Sequence, residues 1–191
     1  MSFSIQRLSR YISPKHTLTV IKPFLEMELK KQNFLKITNQ NRGIIRSLCK
    51  VYFGSVEDQK DAFQDVILQL WKSFDSFRGE SKISTWIYRV SLNTILAKVR
   101  KEKKQVVVEP IDQQHFHLST ANADDDVELL SIIIQSLRDI DKAIVILHLE
   151  GYKNKEIAEM LDLSLTNVST RFNRIKTQLK TKYNRQYHAS K

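Results

Sequence analysis

Near the C-terminal end, side chains that read or hold nucleic acid recur along one helical face. Asn167, Ser169, Thr170, Arg171, Asn173 and Arg174 share that face. Val168, Phe172, Ile175 and Leu179 recur at steps of three and four and make the opposite, buried stripe. Arginine meets a guanine edge with two hydrogen bonds, asparagine does the same for adenine, and serine and threonine reach phosphates or bases. A short helical pattern, Asn154–Leu161, stands just upstream, with the small Ala158 on its inner side. The turn Asp162-Leu163-Ser164 follows, and then a longer helix from about Leu165 to Tyr183. This is a helix-turn-helix pattern, whose second helix enters the major groove with its N-terminal half. An ordinary amphipathic surface helix is the plainer reading of the same residues.

Covalent chemistry finds no such support. No nucleophile, base and orienter stand together. His148 lies in an apolar helix and reads as a core or boundary residue. His115 and His117 are two apart with nothing nearby to complete a zinc set. Asp124, Asp125 and Asp126 lack the alternating ligands and central glycine of a calcium loop, and one of them reads as a helix cap. A metal-dependent nuclease would have to use Glu57, Asp61 and Asp65, which share one helix with no histidine or lysine at useful spacing. The lone cysteine, Cys49, sits in the apolar run Ile44, Ile45, Leu48, Val51 and reads as a buried thiol. No enzyme, metal, cofactor or small-molecule substrate is therefore expected.

The elements that must position these side chains are helices. Glycine and proline number only 4 and 3 in 191 residues, which argues against a fold rich in tight turns. The formal net charge of +10 points to a polyanionic partner, nucleic acid or an anionic membrane surface. No apolar run approaches the roughly 18 residues that span a bilayer. Ala62, Phe63, Val66, Ile67, Leu70, Trp71 and Phe74 make the buried stripe of a helix capped by Ser55, whose other face shows Asp61, Gln64, Asp65 and Gln69. A polar loop, Asp75 to Lys82, precedes a helix starting at Ser84 or Thr85. That helix closes on Lys98, Arg100, Lys101, Lys103 and Lys104, a run suited to its own dipole and to a phosphate backbone.

Residues 61–93 carry a resemblance. Asp61-Ala-Phe-Gln64-Asp65, Leu70-Trp71 and Phe77-Arg-Gly-Glu-Ser-Lys-Ile-Ser-Thr-Trp86 resemble the promoter-melting domain of bacterial sigma factors. The size and two-part layout look like the extracytoplasmic-function group. The helix-turn-helix is similar to that family's −35-reading domain, with Asp162 where glycine is common and Leu137-Arg138-Asp139 where a proline is frequent. The resemblance implies an all-α fold, two small helical domains joined by a flexible linker. The expected parts are a flexible extension over 1–26 (Pro14 and Pro23 interrupting any long helix), a melting and docking domain over 27–104, a linker over 105–125, a helix-turn-helix domain over 126–187, and a tail over 188–191.

The resemblance also assigns roles. Asp61, Gln64, Asp65 and Gln69 match the surface that docks on core RNA polymerase, at the clamp helices of its largest subunit, with the second-largest subunit as a further contact. Arg78, Glu80, Ser81, Lys82, Trp86, Tyr88, Arg89, Asn93, Arg100 and Lys101 match the −10 element site. There the polar groups read base edges, and Trp86 is either a stacking platform or core. Thr166, Asn167, Ser169, Thr170, Arg171, Asn173 and Arg174 match the −35 site. A cytoplasmic initiation factor with polymerase, promoter DNA and an anti-sigma factor as partners is implied. The alternative is a stand-alone helix-turn-helix regulator that binds duplex DNA without polymerase.

Overall fold

The computed structural model describes the backbone of residues 14–105 and 134–189, and the side chains of residues 21–104 and 134–181. The described residues form helices and connecting turns, with no strand among them. The expected linker, the histidine pair, the aspartate triplet and most of the helix read from Val127 to Leu137 lie outside the described residues.

Residues up to Arg42 form one compact unit and residues from Gly43 another. In the first, α1 runs from Pro14 to Gln40 straight through Pro23. This corrects the expected interruption. Proline at the first helical position gives up an amide that has no intrahelical partner anyway. Pro23 removes one interior hydrogen bond, at a cost of about 3 kcal/mol, and the rest of a long ladder carries on around it. Ile21, Phe24, Leu25, Met27 and Leu29 are exposed, while Phe34 is buried. The helix ends at Gln40, and the amide side chain of the next residue, Asn41, folds back to the carbonyl of Ile37 at 2.9 Å.

The second unit begins one residue into α2, Arg42–Tyr52, which buries Ile45, Leu48 and Cys49. Then α3 spans Val56–Ser73. Ser55 caps it: the Oγ accepts from the amide of Asp58 at 3.0 Å. The predicted stripe is the buried one, with Ala62, Val66 and Leu70 at its centre. One 3-10 turn, Phe74–Ser76, leads into the loop. Helix α4 follows, Ile83–Gln105. It starts before Ser84 and Thr85, so neither is its cap; both lie in its first turn. Its packing on α3 makes the most extensive helix pair of this unit.

The remaining helices are α5, Asp139–Leu149, α6, Asn154–Leu161, and α7, Leu165–Ala189. Two left-handed residues make the corners. Gly151, at φ 87°, ends α5, with the amide of Tyr152 donating to the carbonyl of Leu147 at 3.0 Å. Asp162, at φ 54°, ends α6, with the amide of Leu163 donating to the carbonyl of Ala158 at 2.9 Å. Aspartate enters this region more readily than most residues, so the departure from glycine leaves the turn intact. Ser164 then caps α7 by accepting from the amide of Asn167 at 3.1 Å. Ala158 and Val168 are buried where α6 and α7 meet.

Within this unit α4 also packs on α5 and α6. The Tyr52 hydroxyl donates to the carbonyl of Asp139 at 2.8 Å, and Lys103 pairs with the Asp139 carboxylate at 2.6 Å. The hydroxyls of Thr85 and Tyr152 meet at 3.3 Å, and the rings of Tyr88 and Tyr152 meet edge to face at 5.9 Å. Asn93 donates to the carbonyl of Met160 at 3.4 Å. Ile87, on α4, has no exposed surface. Ile87→Ala should lower unfolding stability by about 2–5 kcal/mol, because the cavity joins the lost transfer energy. Urea unfolding followed by circular dichroism measures it.

Candidate nucleic-acid interface

Three groups of predicted residues can now be located. On α3, Asp61, Gln64, Asp65 and Gln69 are all exposed. The Asp65 carboxylate takes the Lys98 ammonium of α4 at 2.7 Å, with half of the Asp65 side chain still exposed (51%). That hydrogen bond raises the Lys98 pKa, against the opposing effect of burial, and the carboxylates of Glu102 and Asp61 add to it.

The loop and the start of α4 border an open groove of about 890 Å³. Arg78, Glu80, Ser81, Trp86, Arg89 and Asn93 of the predicted −10 set line it together, and Gln69 of the docking set reaches its edge. Arg78, Glu80, Ser81, Lys82, Arg89, Asn93, Arg100 and Lys101 are exposed. Lys82, Tyr88, Arg100 and Lys101 do not line the groove. Gly79, at φ 75°, turns the loop so that its neighbours face outward. Trp86 is only 9% exposed, with the rings of Phe77 and Phe74 at 5.3 and 6.1 Å. Of the two readings of Trp86 this is the core one, with an edge on the groove. Tyr88 is buried against Tyr152; burial first, then a hydrogen bond with Glu150, pushes its phenol well above the usual range.

On α7, Thr166, Thr170, Asn173 and Arg174 are exposed, while Asn167, Ser169 and Arg171 are half-buried. Ser169 accepts from the Asn154 amide of α6 at 3.0 Å. The Arg171 guanidinium donates from Nε to Asn167 at 2.7 Å and from Nη1 to Asp141 at 2.9 Å. His148 stacks on Phe172 at 3.5 Å, and burial lowers its pKa, so the boundary reading of that histidine fits.

The arrangement pairs a polar, aromatic-edged groove with a helix-turn-helix. Comparison with known proteins shows which family joins the two. The profile for Sigma-70 region 2 matches residues 37–105 and that for Sigma-70, region 4 matches residues 129–179. The chain belongs to the sigma-70 family. Region 2 covers α3, the groove and α4; region 4 covers the helix-turn-helix. Among its relatives is the ECF RNA polymerase sigma-E factor of Haemophilus influenzae, 28% identical over 146 residues, covering 68% of this chain and 77% of that protein. The ECF RNA polymerase sigma-E factor of Escherichia coli K12 is 27% identical over 166 residues, covering 78% and 85%. This sigma factor is thus of the extracytoplasmic-function type. In fold it is similar to the sigma factor RpoE of Bartonella quintana, solved with the anti-sigma factor NepR (TM-score 0.63, 18% identity, covering 81% of this chain and 96% of that one). It is also similar to CnrH, solved with the cytosolic domain of CnrY (TM-score 0.56, 17% identity, 81% and 89% covered).

Sequence reasoning missed Asp141, which is 2% exposed. Three arginines at spacings of three and thirty or more residues gave no local cue. No described helix is long and apolar enough to cross a membrane.

Proposed function

We propose that this sigma factor seats on core RNA polymerase through Asp61, Gln64, Asp65 and Gln69, reads the −35 element with α7, and opens the −10 element in the groove beside Trp86. It acts in the cytoplasm, without catalysis of its own. The observation that carries this reading is the joining in one chain of an open groove, lined by Arg78, Glu80, Ser81 and an edge of Trp86, and a helix-turn-helix. Promoter opening requires a site that holds an unstacked base better than a stacked one. Unstacking costs a few kcal/mol, and polar groups such as Arg78, Glu80 and Ser81 beside an aromatic edge can return that much. The basic end of α4 follows the phosphates.

The same reading requires the modules to part. The two boxes are about 25 base pairs apart, which is about 85 Å at 3.4 Å per base pair. Helices joined by hydrogen bonds such as Thr85 to Tyr152 cannot reach both. Polymerase, by seating region 2 and region 4 on separate surfaces, supplies the energy to separate them. An anti-sigma factor is assigned as the opposing partner, since the similar RpoE was solved with one. A stand-alone regulator would need only the C-terminal helices and leaves region 2 without a role. Co-elution with core polymerase tests the proposal directly. A chain that binds duplex DNA and ignores polymerase would be the regulator instead.

A further inference from the structure

Asp141 is a buried carboxylate with three guanidiniums around it. Its Oδ1 accepts from Arg171 Nη1 at 2.9 Å, and its Oδ2 accepts from Arg138 Nε at 3.0 Å and Arg174 Nη2 at 3.1 Å. Its side chain is 3% exposed, whereas those of Arg138, Arg171 and Arg174 are 62%, 26% and 46% exposed. The arginines therefore reach inward to one anion while keeping surface toward solvent. A carboxylate buried this far needs such partners, and taking them away leaves an uncompensated charge. Arg171 is held at a second edge as well, through its Nε to Asn167. Two edges fix the plane of a guanidinium, and its other N–H donors then point in a set direction.

Resting on the reading of α7 as the −35 reader, we infer that Asp141 is a positioning residue for promoter discrimination. It touches no base. It aims Arg171 and Arg174 and removes one unit of charge from a patch of three cations. A fixed, partly neutralised guanidinium favours the base edge that matches its fork. A free one slides to whichever phosphate is near and gains affinity without discrimination.

The test uses holoenzyme assembled from core polymerase and the full chain. The probes are a promoter fragment taken from one of its own mapped start sites and the same fragment with the −35 box scrambled. For Asp141→Asn, which keeps the shape and loses the charge, the preference for the intact box should fall about tenfold. Binding to the scrambled fragment should hold or rise, with a steeper salt dependence. Arg171→Lys is the second variant, because it keeps the positive charge and the fold while giving up the two-edged grip. It should lose discrimination in the same direction. If wild-type holoenzyme does not distinguish the fragments, the −35 reading itself fails. If wild type distinguishes them and either folded variant does so equally well, the positioning role is wrong. A loss of affinity for both fragments alike would also overturn it, because that is the mark of a merely structural residue.

Discussion

Asp65→Arg is expected to abolish co-elution with core polymerase while leaving the helical circular dichroism unchanged. The carboxylate is about half exposed, and its one partner among the described residues is Lys98. Exposed ion pairs of this kind contribute about 0–1 kcal/mol, so the fold should barely register the change. At a docking surface the effect is of another size. The substitution moves the local charge by two units, and like charges brought together at an interface cost several kcal/mol, about a thousandfold in affinity. It also places a guanidinium where Lys98 already stands. Gel filtration of the mixture and thermal unfolding of the free variant separate the two effects. Co-elution equal to wild type would refute the docking face on α3.

Tethering the two modules should have an effect as large. Cysteines placed by Thr85→Cys and Tyr152→Cys, joined by a short thiol-cleavable bridge, would hold α4 against the segment that leads into α6. The native hydroxyls meet at 3.3 Å, and the bridge takes the place of the tyrosine ring, whose length the shorter cysteine side chain gives up. Cys49 should not interfere. It is buried, and burial pushes its thiol up to about 11, which keeps it protonated and unreactive near neutral pH. The bridged chain cannot span the roughly 85 Å between the boxes. Promoter-dependent transcription should therefore drop to background and return when the bridge is cleaved. Full activity with the bridge intact would show that the modules need not separate.

Much of the fold was legible because its causes are local. The stripe of Ala62, Val66 and Leu70, the cap at Ser55 and the tolerated aspartate at Asp162 each follow from spacing or backbone preference. Where several forces compete, reading fails. Pro23 looks like an end and is passed over, because one lost hydrogen bond does not outweigh a long ladder. Ser84 and Thr85 look like caps, yet α4 starts earlier and Thr85 turns to Tyr152 instead.

The site was legible in type and less so in arrangement. Arg78, Glu80, Ser81, Arg89 and Asn93 do share one groove. Tyr88 is turned away from it, because its neighbours Glu150 and Tyr152 come from the turn that follows α5, about sixty residues later. Asp141 was invisible for the same reason. Nothing near it in sequence announces Arg171 and Arg174, and only packing of α5 on α7 brings them within 2.9 and 3.1 Å. Arg171, read from its type as a free base reader, turns out to be held on two sides.

Run-off transcription from a library of genomic fragments, with core polymerase alone and with this chain added, probes the central claim most directly. New transcripts should appear only with the added chain, from starts that share one pair of upstream boxes, and Asp65→Arg should yield none. If core polymerase produces the same transcripts with or without the chain, across every fragment, promoter recognition is not what this protein does.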